Sequence, residues 1–496
     1  MMNRMFKKIT SCAAACAIAG SMLSALPAGA YDFNDLDQAE FVKAMGLGWN
    51  LGNTLEATNG NGVVSETAWG NPKASEEIIK MVKAQGFKSI RVPVSWLANI
   101  GDAPNYTIKS TWLKRVHEVV DYCVDNDMYV IVNMHGDGYH SVQGAWLFCD
   151  ANETQQKTIR AKYESVWRQI ANEFKDTDEH LIFESMNEEF DGTYNDPDKT
   201  AYENINKYNQ IFVDTIRKTG GNNAKRWLLV AGWNTDINYT ANDYGFKLPT
   251  DTNCTAESNR IAVSVHYYNP WDFCGNESNF LKTQWGPEAK QSRAPSYGGP
   301  ADLESNFKLL YDKFTSQGYP CIIGEFGNID RSLYDRNNAE FRRYWCQAVV
   351  AASKKYGCVP VYWDNGWNGA NGHAVFDRVN LKVTQQDIID GMVKTINTED
   401  VSNYTPDPIN FKVLSLGDVD KSGKINVNDV LRVIQMVNGR IVINNVKNAE
   451  ANILADVNED KSIDVKDAMI LIQVVKGKYK KTLPTNDSVY GTGKMS

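Results

Sequence analysis

The sequence is short of positive charge. Its 496 residues carry 52 Lys and Arg against 60 Asp and Glu, for a formal net charge of −8. That balance excludes a nucleic-acid partner and gives no reason to expect a membrane surface. Long apolar runs are also scarce. The one that stands out, residues 12–26, follows Lys7 and Lys8 and precedes Ala28-Gly29-Ala30. It is short and carries Ser and Gly, so it reads as a secretory signal over 1–30, with Tyr31 as the mature start, and not as a membrane anchor. No other run is long enough to span a bilayer, and the chain is expected to be secreted. Cysteine is sparse: of nine, Cys12 and Cys16 leave with the signal. Seven scattered residues form no disulfide framework, and no C-x-x-C or zinc spacing is present. Cys123, Cys321, Cys346 and Cys358 fall inside strand or helix patterns and read as small buried hydrophobes.

What the chain does hold is apolar bulk, at 43%, and 13 Trp, which suggest flat rings available for stacking beside those that pack the core. The length calls for two domains. The first is organised around Leu181-Ile182-Phe183-Glu184-Ser185-Met186-Asn187-Glu188-Glu189-Phe190, an apolar run that ends in an amide and a carboxylic acid. Cys321-Ile322-Ile323-Gly324-Glu325-Phe326-Gly327 has the same design. Two glutamates delivered by two strand ends are what glycoside hydrolysis needs.

Around them, strand patterns at 46–52, 89–96, 129–135, 180–188, 226–233, 260–268, 320–327 and 358–364 alternate with helical ones. The helices are expected at 75–85, 112–126, 154–174, 201–218, 303–316, 338–355 and 385–395, with apolar residues three and four apart. Successive βα units predict a (β/α)₈ TIM barrel over 31–397, in the α/β class. The connection after the fifth strand lacks a clear helix. Long segments after strand ends, 136–151 and 269–300, would wall a cleft, with Trp146, Trp233, Trp271 and Trp285 as candidate sugar platforms.

Residues 398–413, with Pro406-Asp407-Pro408, read as a linker. An internal repeat follows at a constant offset over 414–480, and 481–496 reads as a disordered tail. The first copy offers oxygen ligands from Asp418, Asp420, Ser422, Asn426 and Asp429 and the Lys424 carbonyl. The second offers Asp456, Asn458, Asp460, Asp464 and Asp467 and the Ser462 carbonyl. Oxygen donors at loop positions 1, 3, 5, 7, 9 and 12 are the calcium-loop pattern. Each loop opens a short apolar helix, at 430–437 and 468–475. This duplicated unit resembles a dockerin, a small all-α module. The resemblance implies two Ca²⁺ ions and a cohesin partner on a cellulosome scaffold, with Asn428, Arg432, Lys466 and Ile470 on the contacting helices. Ser422 at position 5 and Lys461 at position 6 depart from the usual dockerin residues.

In the barrel, polar residues cluster at strand ends: Arg91, His135, Asn187, Glu188, His266, Tyr268, Glu325 and Trp363. The set, with the opening Gly48-Trp49-Asn50-Leu51-Gly52-Asn53-Thr54-Leu55-Glu56, resembles glycoside hydrolase family five, subfamily four. The loop after His135 lacks the His-His that many of its members carry. The resemblance implies a retaining endo-β-1,4-glucanase that needs no cofactor for catalysis. Glu188 would be its acid/base and Glu325 its nucleophile, and the other six would bind substrate. Glu188 is expected to have a raised pKa, from burial and the Glu325 charge. Xyloglucan, mixed-linkage glucan, xylan and mannan remain alternative substrates. A barrel that only binds polysaccharide is a further alternative, but it has no need of both carboxylates. Among neighbouring acids, Glu184 reads as a structural ion-pair partner deeper in the barrel. Glu189 reads as a solvated residue on the opposite face, and Glu56 as a loop residue.

Overall fold

The computed structural model describes residues 33–411, 416–442, 449–460, 462–481 and 483. The signal segment, Lys461 and nearly all of the expected tail lie outside them. Eight parallel strands close into one barrel in chain order. They are β1 (Gly48–Asn50), β2 (Ser89–Val92), β3 (Tyr129–Asn133), β4 (Leu181–Glu184), β5 (Leu228–Asp236), β6 (Ile261–Tyr267), β7 (Cys321–Phe326) and β8 (Cys358–Tyr362). Helix α1 (Gln38–Met45) precedes β1. Between the strands run α2 (Glu76–Ala84), α3 (Ser110–Val124), α4 (Glu153–Glu173), α5 (Lys199–Lys218), α6 (Ile237–Ala241), α7 (Trp271–Cys274), α8 (Pro300–Lys313) and α9 (Asn338–Lys355). A two-stranded ribbon, β9 (Phe376–Asp377) and β10 (Lys382–Val383), and α10 (Gln386–Asn397) complete this part. The weak fifth connection holds only the five-residue α6.

The strands are apolar on both faces because both faces are covered. Inward, Ile131, Ile182, Leu229, Ala262, Ile322, Val359 and Val361 fill the floor of the barrel, and Phe41 and Met45 of α1 close it. Phe41 stacks on Trp227 at 4.5 Å. A reciprocal capping box between Asp37 and Glu40 starts α1 and so fixes that plug. Outward, Leu181 and Phe183 meet the helix layer, where α4 presents Ile159, Tyr163, Val166, Trp167 and Ile170.

Apart from β5, the strands are shorter than the apolar runs suggest. β4 ends at Glu184, so Asn187 and Glu188 lie on the chain leaving it. That chain is held to its neighbours by Ser185 N–H to the Leu229 carbonyl at 2.9 Å and Asn187 N–H to the Met134 carbonyl at 3.0 Å.

The stretch expected to be a linker stays on the barrel through most of its length. Asp407 accepts from Lys394 Nζ at 2.5 Å and Gln347 Nε2 at 2.9 Å. Arg343 donates to the Pro408 carbonyl at 2.8 Å, and Ile409 is buried. A second, separate core follows, built from Leu416, Val419, Val430, Val433, Met436, Leu454, Val457 and Leu471. Its helices are α11 (Val427–Val437), α12 (Ala449–Ala455) and α13 (Val465–Val475). Among the described residues no helix is long and apolar enough to cross a membrane.

Candidate active site

Above the apolar floor the barrel interior turns polar, and Arg91 of β2 is its hub. Its Nε donates to Glu184 Oε2 at 2.7 Å, and its Nη1 to Glu325 Oε1 at 2.7 Å and Asn50 Oδ1 at 3.1 Å. Nη2 donates to Asn187 Oδ1 at 2.6 Å. Burial alone would lower the pKa of this guanidinium, but the Glu184 and Glu325 charges outweigh it and raise it. A cation held between two buried carboxylates offsets a desolvation cost that either acid alone would leave uncompensated. Glu184 also accepts from Ser264 Oγ at 2.6 Å and Asn133 Nδ2 at 3.0 Å. It is the deep ion-pair partner expected of it.

Glu325, near the end of β7, accepts from Tyr268 Oη at 3.0 Å through its other oxygen, with His266 Nδ1 at 3.7 Å. Glu188 faces it across the barrel mouth. One oxygen of each carboxyl and a His266 nitrogen all lie within 4.8 Å of one another. Glu188 Oε1 pairs with His266 Nδ1 at 2.8 Å, and Oε2 accepts from Tyr139 Oη at 3.1 Å. Burial pushes the Glu188 carboxyl up, yet the bond and charge of His266, the Tyr139 hydroxyl and the Arg91 charge together bring it below the usual value. The expected raised pKa is therefore corrected: hydrogen-bond donors surround this acid and outweigh its desolvation.

His135 and Trp363 stand with rings parallel at 6.1 Å and 5°. Burial, then the Arg91 and His266 charges, hold His135 well below its usual pKa and so neutral. The eight candidates thus meet at one mouth. The residues missed are Asn50, Asn133, Ser264 and Tyr139. The first three lie inside strand runs and the last on a loop, where nothing local distinguishes them.

Glu189 corrects another expectation. It is buried instead of solvated, because the loop after β3 folds over it. Cys149 N–H donates to its Oε1 at 2.9 Å, while Oε2 has no hydrogen-bond partner. Burial raises its pKa well above the usual carboxylate range. Glu56 is a buried loop residue. It accepts the Asn53 and Thr54 N–H groups, and burial pushes it up to about 7.

Beside the carboxyls lies a cleft of about 1090 Å³ lined by Tyr139, Glu188, Tyr194, His266, Tyr268 and Trp271. Of the four tryptophans expected as platforms, Trp271 is 53% exposed and lies edge-on to Tyr268 at 6.2 Å. Trp233 and Trp285 are buried at 1% and 3%. Trp146 spends its indole N–H on Asp137 at 2.7 Å and packs under Lys162. Those three pack the fold and are not platforms. Trp69 and Trp367, at 46% and 62% exposure, stand on loops joined by Asn71. The Asn71 amide donates to the Asn53 carbonyl at 2.9 Å and the Asn365 carbonyl at 3.0 Å.

In the C-terminal part, carboxyl oxygens of Asp418, Asp420 and Asp429 converge within 4.8 Å. The Lys424 carbonyl lies 3.1 Å from Ser422 Oγ and 3.1 Å from Asn426 Nδ2. In the second loop Asp460 N–H reaches Asp456 and Asn458 at 3.1 and 2.9 Å, and Asp467 accepts from Asp464 N–H at 2.9 Å. Ser462 N–H closes on Asp460 at 3.0 Å. Lys421 and Glu459, at position 4 of the two loops, have φ of 62° and 59°. An all-oxygen donor set on so tight a turn fits a hard divalent cation.

A signature of cellulases of glycosyl hydrolase family 5 matches residues 53–369, well over half of the sequence. The chain belongs to glycosyl hydrolase family 5. It is a glycoside hydrolase, and a dockerin type I domain matches residues 416–476. This family 5 enzyme is 54% identical over 372 residues to Endoglucanase A of Paenibacillus barcinonensis, covering 74% of this chain and 92% of that one. Endoglucanase B of Clostridium cellulovorans is 36% identical over 406 residues, covering 80% and 82%. Among solved structures, a family 5 xyloglucanase from Paenibacillus pabuli superposes with a TM-score of 0.70 at 54% identity, over 72% of this chain and all of that one.

Proposed function

We propose that this family 5 enzyme is a secreted, retaining endo-β-1,4-glucanase with Glu325 as nucleophile and Glu188 as acid/base. The observation that carries the reading is the closeness of the two carboxyls, within 4.8 Å at their nearest oxygens. Retaining glycosidases hold the pair roughly 5–5.5 Å apart, whereas inverting ones leave about 6.5–9.5 Å for a water. Arg91 and Tyr268 hold one oxygen each of Glu325 and keep it aimed. Its oxygen bonds to the anomeric carbon while Glu188 gives a proton to the departing glycosidic oxygen. Glu188 then takes a proton from the water that releases the sugar. His266 Nδ1, at 2.8 Å from Oε1, holds the Glu188 carboxyl in place through both steps. Asn187 would hold the sugar 2-hydroxyl, Trp363 the ring face, and His135 the neighbouring hydroxyls.

Xyloglucan stands beside unbranched β-1,4-glucan as a substrate, because the 54% identity to the Paenibacillus pabuli xyloglucanase is matched by that to Endoglucanase A of Paenibacillus barcinonensis. The dockerin would bind two Ca²⁺ ions, through Asp418, Asp420, Ser422, Lys424, Asn426 and Asp429 and through Asp456, Asn458, Asp460, Ser462, Asp464 and Asp467. With calcium bound it would seat on a cohesin and hold the enzyme in a cellulosome. Product analysis across xyloglucan, carboxymethyl cellulose, mixed-linkage glucan, xylan and mannan, with early-time NMR of the anomeric proton, tests the reading. Retention is expected, and Glu325→Ala should be inactive but yield the α-glycosyl azide when azide is added. Inverted product from the parent enzyme would overturn it.

A further inference from the structure

We propose that Tyr139 is a positioning residue for the reaction, holding the Oε2 edge of Glu188 toward the leaving group from the loop after β3. The inference rests on Glu188 being the acid/base. The Tyr139 hydroxyl bridges the two residues that leave β4, donating to Glu188 Oε2 at 3.1 Å and accepting from Asn187 Nδ2 at 2.5 Å. The amide polarises the O–H and makes it a better donor to a carboxylate. His266 holds Oε1 from the opposite wall at 2.8 Å, so the carboxyl is gripped at both oxygens and cannot swing about its stem.

The loop that carries Tyr139 is built for rigidity. Asp137 takes the Trp96 and Leu97 N–H groups at 2.8 Å each and the Trp146 indole N–H at 2.7 Å. The next residue, Gly138, packs so closely on Glu189 that a Cβ would stand 1.9 Å from its Oε2. The Tyr139 ring then meets His135 edge-on at 5.9 Å.

The chemistry follows from where charge develops. As Glu188 loses its proton to the glycosidic oxygen, negative charge grows on its oxygens, and the Tyr139 hydrogen bond strengthens with it. Tyr139 keeps its own proton throughout. Burial and the charges of Glu188 and Glu325 hold its pKa well above the ordinary phenol value. The other groups facing Glu188 are Arg91 from β2, His135 after β3, His266 and Tyr268 on and after β6, and Glu325 from β7. Tyr139 and His266 both favour the charged form of Glu188, so loss of the hydroxyl should leave a weaker acid.

Tyr139→Phe in the full chain, assayed on aryl β-cellobiosides of graded leaving-group ability, tests this. kcat/KM is expected to fall about tenfold for phenyl cellobioside and hardly at all for the dinitrophenyl analogue, whose departure needs no proton. The alkaline limb of the pH profile should move to higher pH. Both readouts are ratios, independent of how much of the variant is folded. An unmoved limb with equal loss on both substrates, or a change in KM alone, would overturn the proposal. Glu188→Ala run alongside reports on the acid/base reading separately, since equal losses on both substrates there would remove the premise.

Discussion

Glu188 and Glu189 are neighbours in the chain, and their carboxyls end in different media. The first is ringed by donors and held below the usual carboxylate range. The second is shut beneath the loop after β3 with one oxygen unpartnered, and burial keeps its proton on. A carboxyl whose folded pKa lies above its unfolded value of about 4.3 stabilises the fold while it keeps that proton. The contribution is lost as pH rises from the unfolded value through the folded one. Glu189→Gln is neutral at every pH and escapes the loss. Its melting temperature should therefore exceed that of the parent at pH 8, with the gap closing toward pH 4. A gap that does not depend on pH would mean Glu189 is charged or hydrated in the folded protein.

At the scale of elements, the connection after β6 divides its aromatics between its own packing and the cleft. Trp271 begins α7 on the cleft rim, whereas Trp285 sits inside the same long connection with its indole N–H on the Gly298 carbonyl at 2.7 Å. Trp271→Ala should raise KM on cellohexaose about tenfold and on short aryl glycosides little. Trp285→Ala should lower the melting temperature and leave the chain-length dependence alone. Equal KM changes at every length for Trp271→Ala would assign that ring to packing.

The contrast also marks what could be read from the sequence. Strand runs and helical periodicity gave the eightfold alternation, because each is a local pattern with one physical cause. Strand-end position gave Arg91, Glu188, His266 and Glu325, because a barrel keeps its chemistry there. Tyr139 was invisible, since its only signal is a hydroxyl brought to Glu188 by a turn. Glu189 was misjudged, since alternation along β4 cannot report that a loop from another strand will cover it. The groups that lower the Glu188 pKa, Arg91, Tyr139 and His266, likewise come from three separate segments.

For the whole molecule, the candidate active site and the acidic loops belong to separate cores. Converging carboxylates at Asp418, Asp420 and Asp429 repel one another until a cation arrives. The small core behind them, from Leu416 to Leu483, gains stability by mass action when calcium binds. Adding EDTA to the full chain should therefore expose the region beyond residue 416 to trypsin while the rate on β-glucan stays constant. Undiminished resistance after complete chelation would show that these loops are ordinary acidic turns.

Asp407, Pro408 and Ile409 are fastened to α9 and α10, so the barrel holds the chain at least as far as Ile409. Five peptide steps separate Phe411 from Leu416, and a chain spans at most about 3.5 Å per residue, for a reach of about 17 Å. The covalent chain alone therefore keeps Leu416 within about 17 Å of Phe411. Were the dockerin seated on a cohesin, the barrel could cleave only the polysaccharide that lies within that reach of the module.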